Sequence, residues 1–179
     1  MAGMKRRKLL KRSLLLGTAG LVAGGGWWLH NGEDLAMLTI EQCQQRLRDL
    51  PLNRIKVVGE WNLAQVFNHL AQSIEYSMTG YPQHKSDAFK KYLGQHAFAV
   101  FTYRGRMAHD LAEAIPGAAP LADHNAEQAL ARLLQALTDF QNHPGDLQPH
   151  FAYGELTPQE YTWAHVMHVY NHLEAFEVV

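Results

Sequence analysis

Residues 125–140, "NAEQALARLLQALTDF", place Leu130, Leu133, Leu134, Leu137 and Phe140 at steps of three and four. At 3.6 residues per turn these side chains share one face, so the segment can bury its apolar groups only as an amphipathic helix. Asn125 stands where an N-cap belongs, and "NHPGD" closes the segment. Similar periodicity recurs along the chain. Thr39, with Gln42 three residues later, opens a helix that reaches about Leu50 and stops before Pro51. A second helix begins near Trp61 and carries Val66, Phe67, Leu70, Ile74 and Met78 on its buried side. A third starts at Ser86 or Asp87, takes in Phe89, Phe98 and Phe101, and ends where Gly105 can break it. The last opens at Thr157 or Pro158, where "TPQE" combines an N-cap, Pro at the first helical position and Glu160. No segment alternates as a half-buried strand does. The expected fold is all-α, an antiparallel four-helix bundle near 61–78, 86–104, 125–141 and 157–176, with an extra short N-terminal helix.

The N-terminal end has a different character. Six of the sixteen Lys and Arg lie at Lys5, Arg6, Arg7, Lys8, Lys11 and Arg12, followed by the uncharged "SLLLGTAGLVAGGGWWL". A basic run before an apolar stretch is the layout of an export signal. Within it "RRKLLK" resembles the twin-arginine export motif, with Leu9 where Phe is commonest and Lys5 where Ser or Thr is usual. Five glycines in the apolar stretch favour that route, which carries folded proteins. The chain divides into residues 1–38, an export signal or membrane anchor plus a short linker, and residues 39–179, the helical bundle. If residues 13–29 are retained they reach the membrane at the short end of a spanning length, with Trp27 and Trp28 as interfacial anchors. The domain is expected outside the cytoplasm, periplasmic or anchored to the inner membrane, after handling by the export machinery. From Thr39 onward ten basic and fifteen acidic side chains leave a net charge of about −5, which argues against a phosphate backbone as partner. Cys43 is the one cysteine, so neither an intramolecular disulfide nor a cysteine cluster can form.

The chemistry concentrates in histidine. "EYTWAHVMHVYNHLEAF" stacks His165, His168 and His172 along one side of the last helix. His168 and His172, four apart, project from successive turns and form a two-point chelate for a metal ion. A third ligand must come from a facing helix, and His69 in "WNLAQVFNHLAQS" lies on the same side as Val66 and Leu70. Three imidazoles leave a coordination position open for water or substrate, as catalytic sites do. Imidazole suits several ions, so a divalent transition metal is expected: zinc first, with nickel, iron or manganese as alternatives.

"WNLAQVFNHLAQS" followed about a hundred residues later by "HVYNHLEAF" resembles the DinB-like superfamily of metal-binding four-helix bundles. "IEYSMTGYP", "YRGRMAH", "IPGAAPL" and "YGELTPQEY" are similar to its branch known as domain of unknown function 1569, over nearly all of residues 39–179. The resemblance implies a divalent metal held by one His of the second helix and an H-x-x-x-H pair of the last, here His69, His168 and His172. It also implies transferase or isomerase chemistry with a low-molecular-weight thiol, although this branch has no settled activity.

His165 departs from that minimal motif. Two turns from His172, it is a group that orients a ligand, a proton donor or a core imidazole. Glu75 and Tyr76, one to two turns beyond His69, are further candidates as base or hydrogen-bond donor, against the plainer reading of surface or packing. His96, His109, His124, His143 and His150 read as solvated surface. Arg104 and Arg106 read as a solvated helix end, or as a receptor for an anionic group. Trp61 and Trp163 read as core or rim. Two functions are therefore open: an exported metal-dependent enzyme, a thiol-dependent transferase or hydrolase acting on a small substrate, or a non-catalytic metal-stabilised bundle that binds a ligand or partner. An open coordination position favours the first and a fourth protein ligand the second. Haem is the weaker alternative, because ligands four apart converge on one small ion. A homodimer is compatible with everything above.

The export reading is tested with Arg6 and Arg7 both replaced by Lys. The expected outcome is a folded protein retained in the cytoplasm; unchanged export in cell fractionation removes the twin-arginine reading.

Overall fold

The computed structural model describes residues 33–179; the proposed export segment, residues 13–29, lies outside them. The described chain is mostly helical. Five longer segments are α1 (Ile40–Arg48), α2 (Leu63–Thr79), α3 (the single turn Asp87–Phe89) continued through a π-helical turn at Lys90–Gly94 into α4 (Gln95–Arg104), α5 (Ala126–Gln141) and α6 (Pro158–Leu173). Short 3₁₀ turns at Leu35–Met37 and Leu52–Arg54 lead into α1 and into the strand β1 (Ile55–Val57). Among the described residues no helix is long and apolar enough to cross a membrane.

The helix starts follow their capping chemistry. The Thr39 hydroxyl accepts from the Gln42 N–H, and Asn125 accepts from the Gln128 N–H. Asn62 with Gln65, and Thr157 with Glu160, each form a reciprocal capping box that satisfies two otherwise orphaned N–H groups. Gly105 ends α4 in the left-handed region at φ 62°, where the backbone carbonyl of Glu33, remote in sequence, approaches so closely that no side chain fits.

Pairings between helices establish their directions. Gln44 donates to Thr138 Oγ1 at 2.9 Å, and Glu41 at the start of α1 meets Gln141 at the end of α5. Those two helices are therefore antiparallel. Ser77 near the end of α2 meets His165 early in α6, while His69 meets His168 and His172 further along, so α2 and α6 are antiparallel as well. α2 packs most extensively against α5. Phe67, Leu70, Ile74, Leu133, Leu137, Tyr161, Val166 and Val169 fill the core between these helices.

Two features differ from the periodicity. The last helix stops at Leu173, short of the expected 176, because Phe176–Val178 forms β2 and pairs antiparallel with β1 in the register Val57↔Phe176 and Ile55↔Val178. Three-residue strands are too short to show alternation, and this pair is made by segments more than a hundred residues apart. The linker ahead of α1 is also partly structural: Leu38 is fully buried in the core.

The π turn serves the loop that faces it. At Gly94 an added Cβ would lie 1.8 Å from the Ala152 carbonyl oxygen, so only glycine admits the 150–154 loop at this distance. Gly94→Ala is expected to lower unfolding stability by about 1–3 kcal/mol as an overpacking change, and Leu137→Ala by about 2–5 kcal/mol as a cavity. Urea denaturation of both variants checks this, with Gly94→Ala alone also disturbing the 150–154 loop.

Candidate metal centre

α2 and α6 face each other with His69 on one and His168 and His172 on the other. His69 and His172 are 2% and 1% exposed. The His69 Nε2 and His168 Nε2 atoms are 3.2 Å apart. Ring centroids of His69, His168 and His172 lie 5.0–5.2 Å from one another. The three residues picked out by spacing thus meet at one point.

A fourth imidazole joins them. His109, expected at the surface, lies 4.8 Å from His168 and 5.2 Å from His172 between centroids. One ligand atom from each of His69, His109, His168 and His172 falls within 4.8 Å of all the others. His109 comes from the loop after α4, and two contacts pin that loop to α6. Arg106 Nε and Nη2 donate to Glu174 Oε1 and Oε2 at 2.9 and 2.6 Å. His109 Nδ1 lies 2.8 Å from Asn171 Oδ1. Because that oxygen only accepts, Nδ1 carries the proton and Nε2 presents a bare lone pair to the cluster. No periodicity marks a loop residue; the signal available was its place in "YRGRMAH", four residues beyond the break at Gly105.

The nitrogens meet the test for a cation. His69 Nδ1, His109 Nε2 and His172 Nε2 are buried without a hydrogen-bond partner, which burial normally forbids. Burial pushes the His69 imidazole down to about 3 and the His172 imidazole to about 2, with the neighbouring rings as a smaller cause. His168 is held well below its ordinary range for the same reasons, and His109 is lowered by burial, against the opposing effect of Asn171. All four are neutral at pH 7, the form that binds a metal. The 3.2 Å contact also suits two nitrogens on one ion, since bonds of about 2.0–2.1 Å in a tetrahedron give edges of roughly 3.3–3.4 Å.

A model of the family described as "Protein of unknown function (DUF1569)" matches residues 30–178. The chain belongs to this family. No curated protein and no solved structure matches it. In this DUF1569 chain the cluster sits between two hollows. His69, His109 and His168 border a cavity of about 410 Å³, which His165 and His150 also line. His172 borders a smaller hollow of about 160 Å³ with Trp61 and Asp110. Trp61 covers that side: its ring stacks 3° from parallel on His172 and lies 4.8 Å from His69. A larger open groove of about 760 Å³ along Thr39, Gln141 and Trp163 lies away from the four histidines.

The other candidates are placed as follows. His165 is buried, with Nε2 3.1 Å from Ser77 Oγ, and lines the cavity without joining the cluster. Glu75 turns toward α5 and makes a two-point ion pair with Arg132 at 2.8 and 2.6 Å. Tyr76 packs near Tyr81. Neither Glu75 nor Tyr76 is brought to the cavity wall. His150, also expected at the surface, is 7% exposed and borders the cavity, because the His150↔Gly154 bridge folds its loop inward. Arg104 is buried instead of solvated. His96 and His124 are exposed as expected, and His143 is half-buried.

These lowered imidazoles set an acid sensitivity. Unfolded histidines take up protons near pH 6.5, whereas His69 and His165 resist until about 3. Unfolding therefore binds protons between those values, and stability falls as pH drops from about 6.5 toward 3. For metal-free protein the urea midpoint should be level from about pH 7 to 8 and decline steadily from about pH 6 to 4. A midpoint unchanged down to about pH 4 contradicts the burial of neutral rings.

Proposed function

We propose that this DUF1569 protein is a metal-dependent enzyme of transferase or hydrolase type that works outside the cytoplasm on a small substrate held in the 410 Å³ cavity. The observation that carries the reading is the convergence of four neutral imidazoles, two buried and two half-buried, three of them with a buried unpartnered nitrogen, at one end of that cavity. His69, His109, His168 and His172 would hold one divalent transition ion. The bundle and the helix positions of three of the four also support placing the family among the DinB-like proteins. Export is supported by the basic run and apolar stretch at the N-terminus.

Bound there, a divalent ion supplies Lewis acidity to a polar group of the substrate. The protein's own part is arrangement. Asn171 fixes the His109 ring and its tautomer, Trp61 covers the cluster on the side away from the cavity, and Phe89, Leu93 and Ile115 give the cavity apolar walls. Lys85 and Glu113, paired at 3.4 Å and partly exposed, mark the solvent end. A low-molecular-weight thiol is the co-substrate class that the DinB-like resemblance suggests.

The fourth histidine favours a second reading, a closed, non-catalytic centre. Four imidazoles complete a tetrahedral ion such as zinc, whereas nickel, iron or manganese in a six-coordinate sphere keeps positions for substrate. The enzyme reading therefore shifts the preference from zinc toward the second group.

Elemental analysis of protein purified without chelator should find about one divalent ion per chain, with occupancy lost sharply in His69→Ala, His109→Ala, His168→Ala and His172→Ala. Asn171→Leu should weaken affinity by roughly 10- to 100-fold. Cobalt substitution then separates the two readings: weak visible bands of a six-coordinate ion support the enzyme, and intense tetrahedral bands that no small thiol perturbs support the closed centre. A metal-free parent overturns both.

A further inference from the structure

Hydrogen bonds decide where the protons sit on the two cavity histidines outside the cluster. His150 Nδ1 accepts from the Ala152 and Tyr153 backbone N–H groups at 3.1 and 3.2 Å. A ring nitrogen that accepts carries no proton, so the His150 proton is on Nε2. The Ser77 hydroxyl has one proton and donates it to the Ile74 carbonyl at 2.6 Å. Toward His165 Nε2, 3.1 Å away, that oxygen can then only accept. His165 therefore carries its proton on Nε2 and leaves Nδ1 bare.

Both rings are clamped. Tyr153 stacks on His150 at 4.2 Å, and Tyr161 stacks on His165 at 5.3 Å while Phe140 meets its edge. Both histidines line the 410 Å³ cavity. Among the described residues, His150 Nε2 and His165 Nδ1 have no hydrogen-bond partner, yet neither is among the unpartnered atoms sealed inside the protein. Both residues line the cavity, so these nitrogens are the groups they can offer to it. It thus presents one fixed donor and one fixed acceptor beside the four-histidine cluster.

We propose that His150 and His165 form a recognition pair for the polar end of a neutral small molecule that both donates and accepts a hydrogen bond, a carboxamide being the simplest such group. The inference deepens the function proposed above by naming the substrate class of the same cavity. His150 Nε2–H donates to the carbonyl oxygen, His165 Nδ1 accepts from the amide N–H, and the body lies against Phe89, Leu93, Ile115 and Phe151. A carboxylate has no N–H to offer the His165 acceptor. A ketone would leave the His165 acceptor unmatched. The pair is a positioning device: it orients the substrate and touches no reacting atom by itself.

The test uses full-length protein and three probes of nearly one shape: phenylacetamide, phenylacetone and phenylacetate. Calorimetry should show phenylacetamide bound roughly tenfold more tightly than phenylacetone, and in metal-free protein phenylacetate should bind more weakly than the amide. His165→Gln keeps a donor for Ser77 but removes the ring acceptor, and should erase the preference for amide over ketone without abolishing ketone binding. His150→Asn keeps an acceptor for the loop N–H groups but places no donor at the position of Nε2–H, and should weaken amide and ketone alike. Nitrogen NMR of ¹⁵N-histidine-labelled wild type reads the tautomers without any variant and should find both protons on Nε2. Metal content is measured in every sample. Amide preference in a metal-free protein supports this inference while removing the metal-enzyme reading. Equal binding of amide and ketone by metal-loaded wild type, or a proton on His150 Nδ1, overturns the recognition pair.

Discussion

Four imidazoles that converge on one point are the constraint around which the site is arranged. An unpartnered buried ring nitrogen costs about 1–3 kcal/mol, and three such atoms occur together here. Hydrophobic packing does not require them to meet. Their convergence depends on the facing of α2 and α6, with His69 opposite His168 and His172, and on a loop tied down so that His109 closes the set. Capping boxes at Asn62 and Thr157 hold the starts of the two helices and so their registers.

The loop contacts show how irregular backbone becomes precise. Arg106 with Glu174 and His109 with Asn171 are pairs three residues apart on both partners, so the loop runs along the last turns of α6. Across the cavity, Gly94 admits the Ala152 carbonyl, and the His150↔Gly154 bridge closes the loop. Each wall bearing a polar group is thereby held by contacts remote in sequence. A rigid donor is worth more to recognition than a mobile one, because less freedom is lost on binding.

A contrast within the histidines bears on function. His150 and His165 each have one nitrogen satisfied inside the protein, by backbone N–H groups or by Ser77, and the other turned to the cavity. In the cluster, by contrast, His109 Nε2 and His172 Nε2 are buried with no partner, beside the close contact of His69 Nε2 with His168 Nε2. Local rules of polar satisfaction fail where a fold holds something that the rules do not count. The first arrangement suits recognition of a neutral molecule, and the second suits a cation.

The helices were legible in the chain because each amphipathic stripe and cap is encoded within a few residues: Leu130 to Phe140, Thr39 with Gln42, Thr157 with Glu160. The same periodicity put His69, His168 and His172 on inward faces, since a helix converts spacing into direction. What spacing could not supply was any residue whose position depends on distant partners. His109 and His150 lie on loops, where no period relates order to direction, and they looked like surface until Asn171, Gly94 and Gly154 held those loops inward. Glu75 had the spacing to reach the cluster, yet Arg132 of α5 took it the other way. β1 and β2 exist only through each other. The sequence determined the helices and three imidazoles through local geometry; tertiary packing alone decided the fourth, the cavity and the orientation of its two polar groups, because long-range contacts set them.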